Sequence, residues 1–335
     1  MIFVSEKKIF FPHKDILRKI FFIAGIFVTF LVVILRGDVG TDTATYLDMA
    51  QRIEANSSVS ATELDVEMGF YWMLKALIFL TSDPRIVINS ISGIIVFYAY
   101  YIFSKSDERF LVFVFLIFPI FLFDMSMNGL RYGLAFLLAK HASDKLKENI
   151  GISAFLLTLS ILFQISGILV FSLLVVKRIN FKSIFILVIL SFLLFFLFQE
   201  RLEYKLTSYM QLQSPSVLSG LFPLIIFGLT FFAALITGGI ISKNIVLLLV
   251  LEIVMFALAK LTYAGLRFQL LILFVFFCRI SDLSFSKFQE KKITNIFIFL
   301  LIGLIGCFGT YKHYIDDYGM GPSPFIPYEF YWDIL

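Results

Sequence analysis

Seven stretches of this chain, at 86–103, 110–126, 181–199, 221–241, 244–260, 263–280 and 293–311, are long apolar runs separated by short polar connections. A bilayer crossing takes about 20 mostly apolar residues, because a helix rises ~1.5 Å per residue and lipid cannot hydrogen-bond an open backbone. Repeated runs of that length leave little besides a bundle of membrane helices. Composition agrees, with 60% of the 335 residues hydrophobic and 16% charged, against about 45–50% and about 25% in a soluble domain. The sequence therefore predicts an all-α, polytopic membrane protein of about ten transmembrane or half-membrane helices. It reads as one integral membrane domain over residues 1–335. The net charge of +4 comes without a basic tract, which argues against nucleic acid as a partner and fits the Lys/Arg excess of cytoplasmic loops.

Three segments fit a plain crossing poorly. Residues 67–81, EMGFYWMLKALIFLT, are short and aromatic, which suits an interfacial or re-entrant helix. Residues 127–142 form a helix with Arg131 in its first turn and Lys140 in its last. Residues 150–176 are long for one crossing and read as two half-depth helices meeting at Gln164. If 67–81 stays outside and 150–176 goes up and back, Lys105, Arg109, Lys140, Lys145, Lys147, Lys177 and Arg178 all fall inside. Treating both as single crossings moves Lys140, Lys145 and Lys147 outside, so the positive-inside rule favours the first assignment. Lys7, Lys8 and Lys14 then hold the N-terminus in the cytoplasm, before a retained signal anchor at 17–35. The outer loops are 36–66 and 200–220.

Polar residues gather on that outer side. The run RGDVGTDTATY, Arg36 to Tyr46, brings Arg36, Asp38, Thr41, Asp42, Thr43 and Tyr46 to the end of the first span. Arg131 and Arg267 each open an apolar helix, and Arg267 follows Tyr263 by four residues. Charges within spans are costly unless they face a partner or a wet cavity. These arginines either snorkel to headgroups or clamp an anion such as a pyrophosphate with their forked N–H groups. Asp42 serves as a general base or acceptor-orienting group, or caps a helix. Glu67 caps the aromatic helix or joins the site. Asn128 caps its helix or holds sugar or loop, and Gln164 contacts substrate or satisfies a broken helix. Cys278 and Cys307 suggest no disulfide, the three histidines show no ligand spacing, and His313 beside Asp316 and Asp317 reads as a surface residue. Neither a metal nor another cofactor is expected.

GTDTATY after the first span, EMGFYWMLKAL, and MNGLRYGLAFLLA with Asn128, Arg131 and Ala135 together resemble the EpsG family of Wzy-type bacterial polysaccharide polymerases. YAGLR near 267 and PYEFYW at 327–332 are weaker echoes, and many relatives carry a histidine where this chain has Gln164. The resemblance implies a GT-C-like, metal-independent glycosyltransferase in the plasma (inner) membrane. Its substrate would be an undecaprenyl-pyrophosphate-linked oligosaccharide, polymerised at the outer face into O-antigen, capsule or exopolysaccharide. It implies catalytic roles for Asp42, Glu67, Arg131 and Arg267, and substrate contacts from Arg36, Thr41, Thr43, Tyr46, Asn128, Gln164 and Tyr263. A flippase and a chain-length regulator are the expected partners besides membrane lipid. The competing readings are a lipid-linked glycan flippase and a non-catalytic subunit of the assembly complex.

Overall fold

A computed structural model describes residues 24–175, 219–236, 243–282, 292–316, 325 and 328–333. The expected span at 181–199 and most of the loop at 200–220 lie outside the described residues. All regular structure among the described residues is helical, joined by one isolated antiparallel bridge between Arg36 and Phe330. The helices are α1 (Ala24–Ile34), α2 (Thr43–Ala55), α3 (Met68–Leu80), α4 (Pro84–Phe103), α5 (Asp107–Val112) and α6 (Leu130–Lys145). They continue with α7 (Ile150–Phe163), α8 (Gly167–Val175), α9 (Leu221–Ile236), α10 (Lys243–Ala259), α11 (Tyr263–Ser281) and α12 (Lys292–Asp316). By length and composition α4 and α11 meet the requirement for a crossing, while several other apolar helices are shorter as described.

Local chemistry sets many of the starts. Asp83 accepts from the backbone N–H groups of Arg85 and Ile86 with Pro84 at the first helical position of α4, where a missing N–H costs nothing. Ser106, Asn149 and Thr262 cap α5, α7 and α11 in the same way. The stretch after α5 departs from the regular span expected there. It widens into π-helical turns over Phe113–Leu122 and Asp124–Asn128, with Pro119 inside. Pro119 lacks the N–H that an α-helical ladder needs. The widening ends where the Gly129 N–H reaches the Asp124 carbonyl at 2.8 Å, five residues back.

Helix directions follow from the hydrogen bonds between them. Ser153 Oγ donates to the Ala142 carbonyl at 2.8 Å and Ser160 Oγ to the Ala135 carbonyl at 2.7 Å. Later residues of α7 thus meet earlier residues of α6, and the pair is antiparallel. α8 turns back after Gln164 and brings the Leu173 carbonyl to Arg279 Nη2 at 2.9 Å, near the end of α11. Residues 150–175 therefore go up and come back, as two helices meeting at Gln164 require.

One end of the bundle is an ion network. Arg109 Nη1 and Nη2 lie 2.8 and 2.9 Å from the carboxylates of Asp144 and Asp282, and Lys140 Nζ lies 2.9 Å from both. These charges join the start of α5 to the ends of α6 and α11. Lys140 is 0% exposed, so removing a partner leaves a buried cation under-compensated. Asp144→Leu is expected to cost about 3–5 kcal/mol, seen as a lower melting temperature of the detergent-solubilised protein; an unchanged melt would reduce the network to surface pairing.

The opposite end is shared by the heads of α6 and α11, the π-turns before α6, and the α10–α11 connection. α3 stays there at both ends: Glu67 before it meets Arg131, and Asp83 just after it meets Tyr331. That is the geometry expected of a helix lying along one face. Its outer side carries Met68, Trp72, Phe79 and Leu80, Phe79 being 90% exposed. Its inner side is tied to the preceding loop by Tyr71 Oη to the Val59 carbonyl and Lys75 Nζ to the Ser57 carbonyl.

Candidate active site

The loop from Arg36 to Asp42 is built from beneath. Arg36 is 0% exposed, donating from Nε to Asn89 Oδ1 at 3.3 Å and from Nη1 to the Met127 carbonyl at 2.8 Å. Asn89 Nδ2 returns a bond to the Arg36 carbonyl at 2.9 Å. Burial lowers the Arg36 pKa to about 10, which leaves it charged at neutral pH. The C-terminal segment closes over this strut: Gly37 N–H bonds the Glu329 carbonyl, and Tyr331 N–H bonds the Leu35 carbonyl, each at 2.8 Å. Tyr331 Oη donates to Asp83 Oδ2 at 2.6 Å.

The turn itself requires Gly40. Its φ is +117°, a region that a Cβ disfavours, and a Cβ would stand 2.7 Å from Thr43 Oγ1 and 3.0 Å from the Met127 carbonyl. Asn128 fixes the turn from the side, its Oδ1 accepting from the Thr41 N–H at 3.0 Å. Asn128 Nδ2 donates to Asp124 Oδ1 at 2.9 Å, and Tyr132 Oη donates to the other Asp124 oxygen. Thr43 points inward and bonds the Val39 carbonyl at 2.7 Å.

Asp42 and Glu67 occupy the N-cap positions of α2 and α3, yet neither side chain makes a capping bond. Of the two roles the sequence suggests for each, capping is the one their side chains do not perform. Glu67, 7% exposed, accepts at Oε2 from Arg131 Nη1 at 2.9 Å. Arg131 also reaches the Asp65 carbonyl at 3.5 Å and lies close enough to Tyr46 to interact with its phenol electrostatically. Asp65 sits at φ 49°, the left-handed region that Asp tolerates better than most residues. Tyr46 is buried against Phe70, ring centroids 5.4 Å apart.

Asp42 joins the two arginines. Loss of water raises its carboxyl above the ordinary range; Arg267 and then Arg131 pull it back down, with a smaller contribution from the Thr41 side chain. The carboxylate is open on its outer side and lies in the field of both guanidinium groups. Arg267 is exposed on the first turn of α11, and Tyr263 opens that helix behind the Thr262 cap. Asp42, Glu67, Tyr46, Arg131 and Arg267 are thus brought together, with Thr41 and Asn128 forming the wall.

Other residues named from sequence stand apart. Arg36 and Thr43 lie behind the loop, in its foundation. Gln164 ends α7 through its backbone, donating to the Ser160 carbonyl at 2.9 Å. Leu162 of the same turn approaches α3 closely enough that a Cβ on Gly69 would stand 2.8 Å from its backbone, which sets Gln164 at the site end. The side chain of His313 lies outside the described residues. Sequence reading missed Asn89, Asp124 and Tyr132. The last two flank Asn128 at i−4 and i+4, a one-face helical spacing hidden by the assumption that a helix begins near 127.

With two guanidinium groups beside two carboxylates and a phenol, the site has donors for an anionic group and a carboxylate for a hydroxyl. No cluster of His, Cys, Asp and Glu suited to a metal ion occurs among the described residues. No curated protein and no solved structure matches the chain significantly. The EpsG family model matches residues 19–330, a span that runs from before α1 into the C-terminal closure and contains every residue of the site. The chain therefore belongs to the EpsG family, whose members resemble polysaccharide polymerases, and is a helical membrane protein of polysaccharide biosynthesis.

Proposed function

We propose that the chain is a polymerase that joins undecaprenyl-pyrophosphate-linked oligosaccharide repeats at the outer face of the plasma membrane. The observation that carries this reading is the Asp42 carboxylate lying in the electrostatic field of both Arg267 and Arg131, with Glu67 paired to Arg131 at 2.9 Å. The anomeric carbon of the growing, lipid-linked chain is attacked by a hydroxyl of the next repeat. The new C–O bond forms as the bond to pyrophosphate breaks, with inversion. Arg131 and Arg267 stabilise the charge that grows on the departing pyrophosphate, electrostatic help worth most in a site with little water. The acceptor proton passes to Asp42, the better placed of the two carboxylates, because Glu67 is already engaged with Arg131.

Placing the site end outside puts Lys105, Arg109, Lys145 and Lys147 on the cytoplasmic side, in accord with the positive-inside rule. The N-terminus is then cytoplasmic, α3 lies at the outer interface with Trp72 and Phe79 in lipid, and the whole is one GT-C-like integral membrane domain. Lipid-linked repeats reach it from a flippase, and a chain-length regulator is its expected neighbour. The test is purified protein in liposomes with a defined undecaprenyl-pyrophosphate-linked repeat. A ladder of longer lipid-linked glycans, with one undecaprenyl pyrophosphate released per linkage, is expected; movement of the repeat across the bilayer without any ladder would establish a flippase instead.

A further inference from the structure

Below the site, a carboxyl group is buried in the middle of a helix. Glu252 of α10 and Gln269 of α11 are both 0% exposed. Gln269 Nε2 donates to Glu252 Oε1 at 2.9 Å and to the Gly220 carbonyl at 3.1 Å. Both amide protons are then used, while Glu252 Oε2 and Gln269 Oε1 are buried and meet no hydrogen-bond partner among the described residues. Two orphan acceptors in an apolar interior are expensive, and a lone carboxylate there more so. A single proton removes both problems.

We propose that Glu252 carries a proton on Oε2 and donates it to Gln269 Oε1, closing a cyclic acid–amide pair that holds the head of α11. With it the count balances: three donors, namely two amide N–H groups and one carboxyl O–H, meet three acceptors, namely Glu252 Oε1, Gly220 O and Gln269 Oε1. No ionic partner competes for Glu252 on the described elements packed around it. α9 contains no charged residue, Lys260 stands over the Phe256 ring two turns further along, and Arg267 opens α11. Residues two apart on a helix are turned about 200° from one another, so Gln269 anchors α11 from the face opposite Arg267. Gly220, at φ +76°, admits the amide where a Cβ would stand 2.1 Å from Gln269 Oε1. Glu252 is in this sense a positioning residue for Arg267. Its effect on glycan synthesis rests on the proposed function; the protonation does not.

The experiment therefore reads the proton directly. The infrared difference spectrum of wild type minus Glu252→Gln at neutral pH should show the C=O band of a protonated carboxyl. Glu252→Gln, whose amide supplies the same donor with one N–H to spare, should melt closer to wild type than Glu252→Leu and keep chain elongation within about twofold. Glu252→Leu, which leaves the Gln269 amide unmatched, should lower the melting temperature by roughly 2–4 °C or more. A carboxylate band in place of the protonated one would overturn the proposal. So would misfolding of Glu252→Gln, or a sodium-dependent melting temperature that this variant loses.

Discussion

Arg131→Ala is expected to abolish chain elongation, with the initial rate of ladder formation falling by a factor of about 10³ or more. Loss of one neutral donor to a developing oxyanion typically costs about 10²–10³ in rate, and here a full charge with a two-pronged fork is removed. Arg131→Lys keeps the charge but not the fork, so it should recover only part of the rate. There is a structural component too, since Glu67 loses the cation it pairs with at 2.9 Å. Arg131 is partly exposed, so that component sits at the low end, roughly 2 kcal/mol. Combining Arg131→Ala with Glu67→Gln separates the two effects. The double variant should regain thermal stability while staying inactive. If it regains elongation, the arginine serves only to neutralise Glu67 and the pyrophosphate role is lost. Arg267→Ala should fall in the same direction with less structural damage, because Arg267 is exposed.

Asp42→Asn should be nearly as damaging to elongation while leaving the fold at least as stable. The folded-state pKa of Asp42 is raised, chiefly by loss of water. A raised acid binds protons more readily in the folded than in the unfolded chain, so its favourable contribution lies at low pH. That contribution disappears as pH rises from the unfolded value through the raised one, and the ionised group is a net burden at neutral pH. Asparagine removes the burden, and the melting temperature at pH 7 should rise or stay level. With Asp42 as the proposed proton acceptor, elongation would need the ionised form, and the acid limb of its pH profile should stand above the ordinary carboxylate range. Asp48, one and a half turns along α2 and exposed beside Arg52 at 3.9 Å, is the control: Asp48→Asn should change neither quantity. Equal and small losses at both positions would show that the loop carries no proton-accepting carboxylate.

The elements of this site were unequally visible in the sequence. Span-length apolar runs, the aromatic helix at 67–81 and the break at Gln164 can be read directly, because periodicity and length are local properties. Arginines 131 and 267 stand out for the same reason, being charges in apolar surroundings. The use made of Asp42 and Glu67 could not be read locally. Both sit where a cap belongs, and only the tertiary fold brings Arg131 to Glu67 and sets Asp42 in the field of Arg131 and Arg267. Arg36 could not be placed locally either: the resemblance makes it a substrate contact, and the fold holds it inside through Asn89 and the Met127 carbonyl. The π-turns were hidden because widening a helix changes its hydrogen-bond pattern without changing its hydrophobic character, and with them went Asp124 and Tyr132.

The contact of residues 328–333 with Leu35, Gly37 and Asp83 has a bearing on biogenesis. During synthesis the Arg36–Asp42 segment is made long before the segment that covers it leaves the ribosome. The loop should therefore stay unsupported, and the site incomplete, until residues 328–333 have docked. A bulky domain inserted directly after Asp333 should delay or block that docking and slow maturation, whereas the same domain on a long flexible spacer should be harmless.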